Sequence, residues 1–288
     1  MKLPQNVSLV ACLAEFVGMA LFVMIGCGSA MGIKGSDSTG SMIPGWVLMV
    51  ALVFGLSITT LAYSIGHYSG GHLNCAVTLG LVLTGNCGLL QGICNVASQM
   101  LGSVLGAAIL CAIFPPELDM TTTLGANSVG PKWYWWNALI GEIMGTFLLV
   151  FVVHQTACNP KSAMNRSQAC IAIGIAVFMA HCVLIPIDGC SINPTRSFGP
   201  ALLALSRASR ASPADEGPGY WRSMWIFWVG PLLGACLAAG VYKLMLQLET
   251  AGREAAKEAT EMPEEDSEEA AEMPEKDSDP EVALPTRL

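Results

Sequence analysis

The chain has 288 residues, 53% of them hydrophobic and only 12% charged, with a mean hydropathy of +0.53. That is too apolar and too poor in charge for an ordinary soluble domain, so a membrane protein is expected. The net charge of −8 says little about partners, because residues 249–288 hold 14 of the 22 acidic and 4 of the 14 basic side chains; that segment carries −10 and the remainder +2.

Crossing the hydrocarbon core takes about 20 apolar residues in a helix. The first such stretch is 10–31, which carries Glu15 in AEFVGMALFVMIG; its length and the lack of a cleavage site mark it as a retained helix. The second is 46–66. It runs into GHYSGGHLNCAVTLG, where HLNCAVTLG (72–80) carries no fixed charge, is too short to span and is headed by Asn74. Short helices at membrane depth are tolerated only where protein buries them or water reaches them. The third stretch is 89–114, with Gly102 and Gly106 spaced for close helix packing. The fourth, 136–156, carries Glu142 in GEIMGTFLLVFVV together with Gly141 and Gly145. The fifth is 169–185, followed by SINPTRSFG (191–199), which sets Asn193 at the head of a second short segment, 119 positions after Asn74. The sixth is 224–246, with Gly230 and Gly234.

The two halves, about 8–115 and 136–247, therefore share one plan: a glutamate-bearing span, a second span, an Asn-headed short helix and a third span. Three spans per half make the second copy enter from the opposite side, the inverted-repeat arrangement of many transport proteins. The expected fold is an all-α membrane protein with six transmembrane helices and two re-entrant half-helices over residues 1–248. Asn74 and Asn193 suit N-caps, and both half-helices would point their positive ends at the middle of the membrane. Capping alone leaves unexplained why both caps fall at equivalent places. Residues 249–288 form an acidic tail with the repeat EMPEEDS and EMPEKDS, too poor in apolar residues to order itself, so a disordered segment is expected. Most of the eleven cysteines lie inside spans as small apolar side chains, and no disulfide is assigned.

GHYSGGHLNCAVTLG, GCSINPTRSFGPA and WIFWVGPLLGA, with the paired glutamates, together resemble the aquaporin family over roughly residues 8–247. The resemblance implies a passive, water-selective channel that excludes protons and ions. It implies a homotetramer in the plasma membrane with both termini cytoplasmic, and neither cofactor, metal nor nucleic acid. The sequons at Asn6 and Asn165 then fall on the cytoplasmic side and should be unused. No partner is read for the tail.

The family usually carries Asn-Pro-Ala twice; here stand Asn74-Cys75-Ala76 and Asn193-Pro194-Thr195. Proline suits the first helical position, so Cys75 gives up some preorganisation while the Asn donor stays. Cys75 reads as a small substitute and not as a redox thiol, and the Thr195 hydroxyl can bond back within its turn. The resemblance maps the family's narrowest point onto Phe54, His181, Cys190 and Arg196. His181 and Arg196 would offer donors to water, the guanidinium would repel cations, and the Cys190 thiol should be reachable from the outer mouth by mercurials. An isolated intramembrane His or Arg is more often a packed or snorkelling residue; their joint spacing tips the balance. Ser197 replaces the Asp that glycerol-conducting relatives carry, and Ala201, Phe227 and Trp228 resemble the water-channel pattern, so water ranks above glycerol; a broader small-solute channel for glycerol and hydrogen peroxide is the alternative. Backbone carbonyls of Gly70, Gly71, His72, Gly189, Cys190 and Ser191 would line the path opposite an apolar wall of Phe22, Val77, Val177 and Ile192, with Glu15 and Glu142 bracing the loops. A poorly conducting adhesion or scaffold member is the rival reading. For an enzyme, the sequence offers no nucleotide loop, metal cluster or nucleophile motif.

Overall fold

A chain inside lipid must pair its backbone groups with itself, and this one does so with helices. The computed structural model describes residues 6–208 and 219–261. In chain order the helices are α1 (Leu9–Met31), α2 (Pro44–Ser69), the short α3 (Cys75–Leu83), α4 (Leu89–Ile113), α5 (Trp135–Val153), α6 (Ala169–Asp188), α7 (Pro194–Ala208), α8 (Gly219–Arg222) and α9 (Ile226–Glu261). Among the described residues, six segments are long and apolar enough to cross a membrane, and the expected spans match them.

Helix ends follow local chemistry. Ser8 caps α1 by accepting from the Ala11 N–H, and Pro44 opens α2 where its missing N–H goes unneeded. Helices α2 and α6 both stop at a left-handed glycine, Gly70 (φ 86°) and Gly189 (φ 83°). Helix α5 widens into one π turn, His154–Cys158, before Pro160 ends that ladder.

In the channel unit, α1 packs on α2 and α4, α5 on α6, α2 crosses to α6, and α4 reaches α7. The expected glycine pairs sit at these crossings and at that of α9 with α5. A methyl on Gly102 would run into the Phe16 carbonyl, and one on Gly234 into the Ile143 carbonyl. Phe16 and Ile143 each follow one of the paired glutamates, so the two halves repeat the same crossing. Polarity is inverted relative to a water-soluble protein: Leu13, Leu56, Leu101 and Val183 are more than half exposed, whereas Asn95, Gln99, Ser103 and Thr146 are fully buried.

The chain divides into two compact units, Met1–Leu244 and Met245–Leu288. The described part of the second is the end of α9, which continues to Glu261 with nearly every side chain exposed. This corrects the expectation that disorder begins at 249. The sequence AGREAAKEATE is made mainly of strong helix formers, and Arg253 pairs with Glu249 one turn earlier at 3.3 Å. The acidic repeat beyond Glu261 lies outside the described residues.

Candidate functional site

The two short helices are entered by loops with one shared backbone. In the first, Gly70, Gly71 and Leu73 have φ of 86°, 62° and 50°; in the second, Gly189, Cys190 and Ile192 have 83°, 56° and 43°. Each pair is 119 positions apart. Leu73, Cys190 and Ile192 are side-chain-bearing residues in the left-handed region, which costs energy unless the surroundings impose it. The imposing groups are also matched. Ser69 Oγ accepts from the Gly71 N–H at 3.0 Å, and Asp188 Oδ1 accepts from the Cys190 N–H at 2.9 Å. Glu15 takes the His72 and Leu73 N–H groups on its two oxygens at 2.8 and 2.7 Å; Glu142 takes those of Ser191 and Ile192 at 2.7 and 2.6 Å. Both glutamates are fully buried, and a buried carboxyl group is costly without such hydrogen-bond partners. Glu15 has two more, Ser69 Oγ and Gln99 Nε2.

This backbone turns its carbonyls away from itself. None of the six expected carbonyls, on Gly70, Gly71, His72, Gly189, Cys190 and Ser191, accepts a hydrogen bond from the described residues. Each of the six is therefore a spare acceptor, and Gly70, Gly71 and His72 border a cavity.

Asn74 and Asn193 meet where the loops end. Asn74 caps α3, its Oδ1 accepting from the Ala76 N–H at 2.8 Å, and Asn193 Oδ1 accepts from the Arg196 N–H at 3.1 Å. Their amides then cross: Asn74 Nδ2 donates to the Ile192 carbonyl at 2.8 Å, and Asn193 Nδ2 to the Leu73 carbonyl at 2.7 Å. One hydrogen of each amide is thus used for orientation and the second is left over.

Three of the four expected filter residues close on one another. The Phe54 and His181 rings lie 4.4 Å apart nearly parallel, and the Arg196 guanidinium carbon sits 4.9 Å above the Phe54 ring. Phe22, expected on the apolar wall, meets Phe54 edge-on at 5.5 Å. Arg196 Nη1 donates to the Gly125 carbonyl at 3.2 Å and to Asn127 Oδ1, which pins the guanidinium, and its Nε is buried without a partner among the described residues.

One expectation is corrected here. His181 Nδ1 lies 2.9 Å from the Val177 carbonyl. A carbonyl only accepts, so Nδ1 carries the hydrogen and Nε2, which has no partner among the described residues, is an acceptor in the neutral ring and not the expected donor. Cys190 is 0% exposed, as closely packed as Phe54 and His181 at 1% each, and it sits on a left-handed backbone with φ of 56°.

A cavity of about 690 Å³ runs from Ser8, Gly88 and Arg166 past Gly70, Gly71 and His72 to Asn74 and Val77. Three cysteines that the sequence did not single out, Cys87, Cys158 and Cys170, line it. Sequence reading also missed Asn127, Gln99 and the loop-closing pair Ser69 and Asp188. The 119-residue offset could have found that pair; nothing local joins Asn127 to a residue 69 positions away.

Comparison with known proteins adds the following. The Major intrinsic protein family pattern matches residues 2–242. Aquaporin-4 of Bos taurus is 35% identical over 253 residues, covering 86% of this chain and 71% of that protein. Aquaporin-1 of Bos taurus is 38% identical over 240 residues, 82% of each. The X-ray structure of the aquaglyceroporin from Plasmodium falciparum aligns with a TM-score of 0.68 at 20% identity, covering 81% of this chain and 95% of that one, a likeness of fold alone.

Proposed function

The chain belongs to the Major intrinsic protein family, whose aquaporins are membrane channels, and from that premise we propose that it is a passive channel selective for water. The observation that carries this reading is the contact of Phe54, His181 and Arg196. Two rings and a guanidinium leave room for little more than one small molecule. In this reading Arg196 donates to a water oxygen, His181 Nε2 accepts one of its hydrogens, and the fixed positive charge repels cations, the combination of diameter, lining groups and charge that sets selectivity in such pores. Cys190 completes the filter as a small, packed residue.

Beyond the filter, water passes along the free carbonyls of 189–191 and 70–72, opposite Phe22, Val77, Val177 and Ile192. One row of acceptors against an apolar wall holds water weakly, so exit is fast. At the centre the spare amide hydrogens of Asn74 and Asn193 donate to a water oxygen from the positive ends of α3 and α7. A water held that way donates both of its hydrogens outward, which breaks the one-directional chain a proton relay needs.

Residues 1–248 carry transport in this proposal, and 249–288 form an acidic extension of separate role. The assembly is a homotetramer in the plasma membrane with both termini in the cytoplasm. Stopped-flow measurements on proteoliposomes test the reading. Osmotic shrinkage should be many times faster than in empty vesicles while glycerol uptake stays at the empty-vesicle rate; glycerol uptake comparable to water flux overturns the selectivity.

A further inference from the structure

Cys75 and Thr195 are the two departures from the repeated Asn-Pro-Ala pattern, and they touch. Cys75 is the first residue of α3 and its backbone N–H donates to Thr195 Oγ1 at 3.3 Å, across 120 positions of sequence. The same hydroxyl donates to Asn193 Oδ1 at 2.6 Å. Thr195 is 0% exposed, so each of these bonds forms away from bulk water.

The first N–H of a helix has no partner within it, and an unpaired buried donor is costly. Exchange of the two halves by 119 positions turns Cys75 into Pro194 and Ala76 into Thr195. The chain therefore holds two versions of one junction. Cys75 brings a donor and Thr195 an acceptor; Pro194 brings no donor and Ala76 no acceptor. Each version is satisfied, and a mixture of the two is not. A proline at 75 would direct its ring carbon along the former N–H and into Thr195 Oγ1.

We propose that Thr195 is a positioning residue for Asn193, held in that role by the Cys75 N–H, and that position 75 needs its N–H and not its thiol. A threonine hydroxyl has one hydrogen. With the Cys75 N–H on its lone pair, that hydrogen goes to Asn193 Oδ1 in preference to Gln99 Oε1, which lies farther off at 3.5 Å. Asn193 Oδ1 is then held from two sides, by Thr195 and by the Arg196 N–H, which fixes the amide whose Nδ2 bonds Leu73 and whose spare hydrogen faces the path. The first half-helix thus sets the central donor of the second.

The flux part of this inference rests on the water-channel reading; the melting part does not. Five variants of the full chain test it, by thermal melting in detergent and by water permeability per channel in proteoliposomes. Cys75→Ala keeps the N–H and should match the parent in both. Thr195→Ser keeps the hydroxyl and should conduct within about twofold of the parent, whereas Thr195→Val should lose about threefold or more, the scale of one net hydrogen bond. Cys75→Pro should melt lowest, and Cys75→Pro with Thr195→Ala should recover, because that pair recreates the Pro194 and Ala76 junction. Recovery of folding in the double variant counts as support even if Cys75→Pro alone yields no folded protein. A harmless Cys75→Pro, a double variant no better than Cys75→Pro, a Cys75→Ala as damaging as proline, or a Thr195→Val that conducts like Thr195→Ser overturns the proposal. If the parent conducts no water, the function above fails while the melting order still decides this inference.

Discussion

The loops that end in Asn74 and Asn193 share backbone angles, glutamate brace and crossed amides, but the third position after each asparagine is Val77 in one and Arg196 in the other. Their anchoring differs as well. Glu15 collects four donors, including the side chains of Ser69 and Gln99, while Glu142 collects the two backbone N–H groups of its loop and lies beside the Asp188 side chain. The second loop is instead tied through Arg196 to Gly125 and Asn127. The shared part presents carbonyls and asparagines in the same way from both sides, which a symmetric water path needs. The unshared part places charge and bulk at one end only. In the proposed channel, symmetry serves conduction and its breaking serves selection.

The largest effects should come from the braces. Glutamine keeps one acceptor oxygen and turns the other face into a donor. Glu15→Gln then strands two of four donors and Glu142→Gln one of two. At about 1–3 kcal/mol for each buried donor left unpaired, both variants should melt lower than the parent, and Glu15→Gln lower than Glu142→Gln. Equal melting temperatures would mean that the extra side-chain donors of the first loop carry no weight.

A smaller effect should separate the loops by their thiols. Cys190 stands where the first loop has Gly71 and is packed as tightly as Phe54 and His181, whereas Cys87, Cys158 and Cys170 line the wider cavity that leads to Asn74. Mercuric chloride should therefore inhibit water flux through the cavity cysteines. Cys190→Ser should stay sensitive, and joint replacement of Cys87, Cys158 and Cys170 by Ser should give resistance. Resistance in Cys190→Ser would instead place the reactive thiol at the filter, as the sequence led us to expect.

The smallest effect should follow removal of residues 249–288, which belong to neither loop. Water permeability per channel should change by less than about twofold, as expected for a charged, solvated segment. A large loss with channel numbers matched would make the segment a gate.

Much of this plan was legible before any coordinates. Apolar length located the six spans, since lipid forces that length on a helix. Asn74 and Asn193 marked the half-helices because asparagine caps and because their spacing repeated. Glu15 and Glu142 were legible as braces since a buried carboxylate demands donors. What stayed hidden depended on contacts that sequence spacing does not encode. Asn127 holds Arg196 from an irregular loop with no periodicity to place it. Cys190 and Ile192 have left-handed backbone angles, which sequence patterns do not signal in a residue other than glycine. The role of His181 turned on which ring nitrogen meets the Val177 carbonyl, a matter of one side-chain rotation. The helix beyond 249 was the opposite case: its alanine-rich composition was visible, and the charge count drew attention away from it.

The central claim is that the residues breaking the symmetry choose the solute while the symmetric centre carries water. Its most direct test is the variant with His181→Ala and Arg196→Val, assayed in proteoliposomes for water, urea and glycerol against equal amounts of folded parent. With ring and guanidinium removed, the opening widens and loses its charge. Water permeability should persist, and urea or glycerol permeability should rise about tenfold or more, as when a site loses the bulk that rejected a competitor. Urea and glycerol permeabilities unchanged from the parent in folded protein would contradict the account.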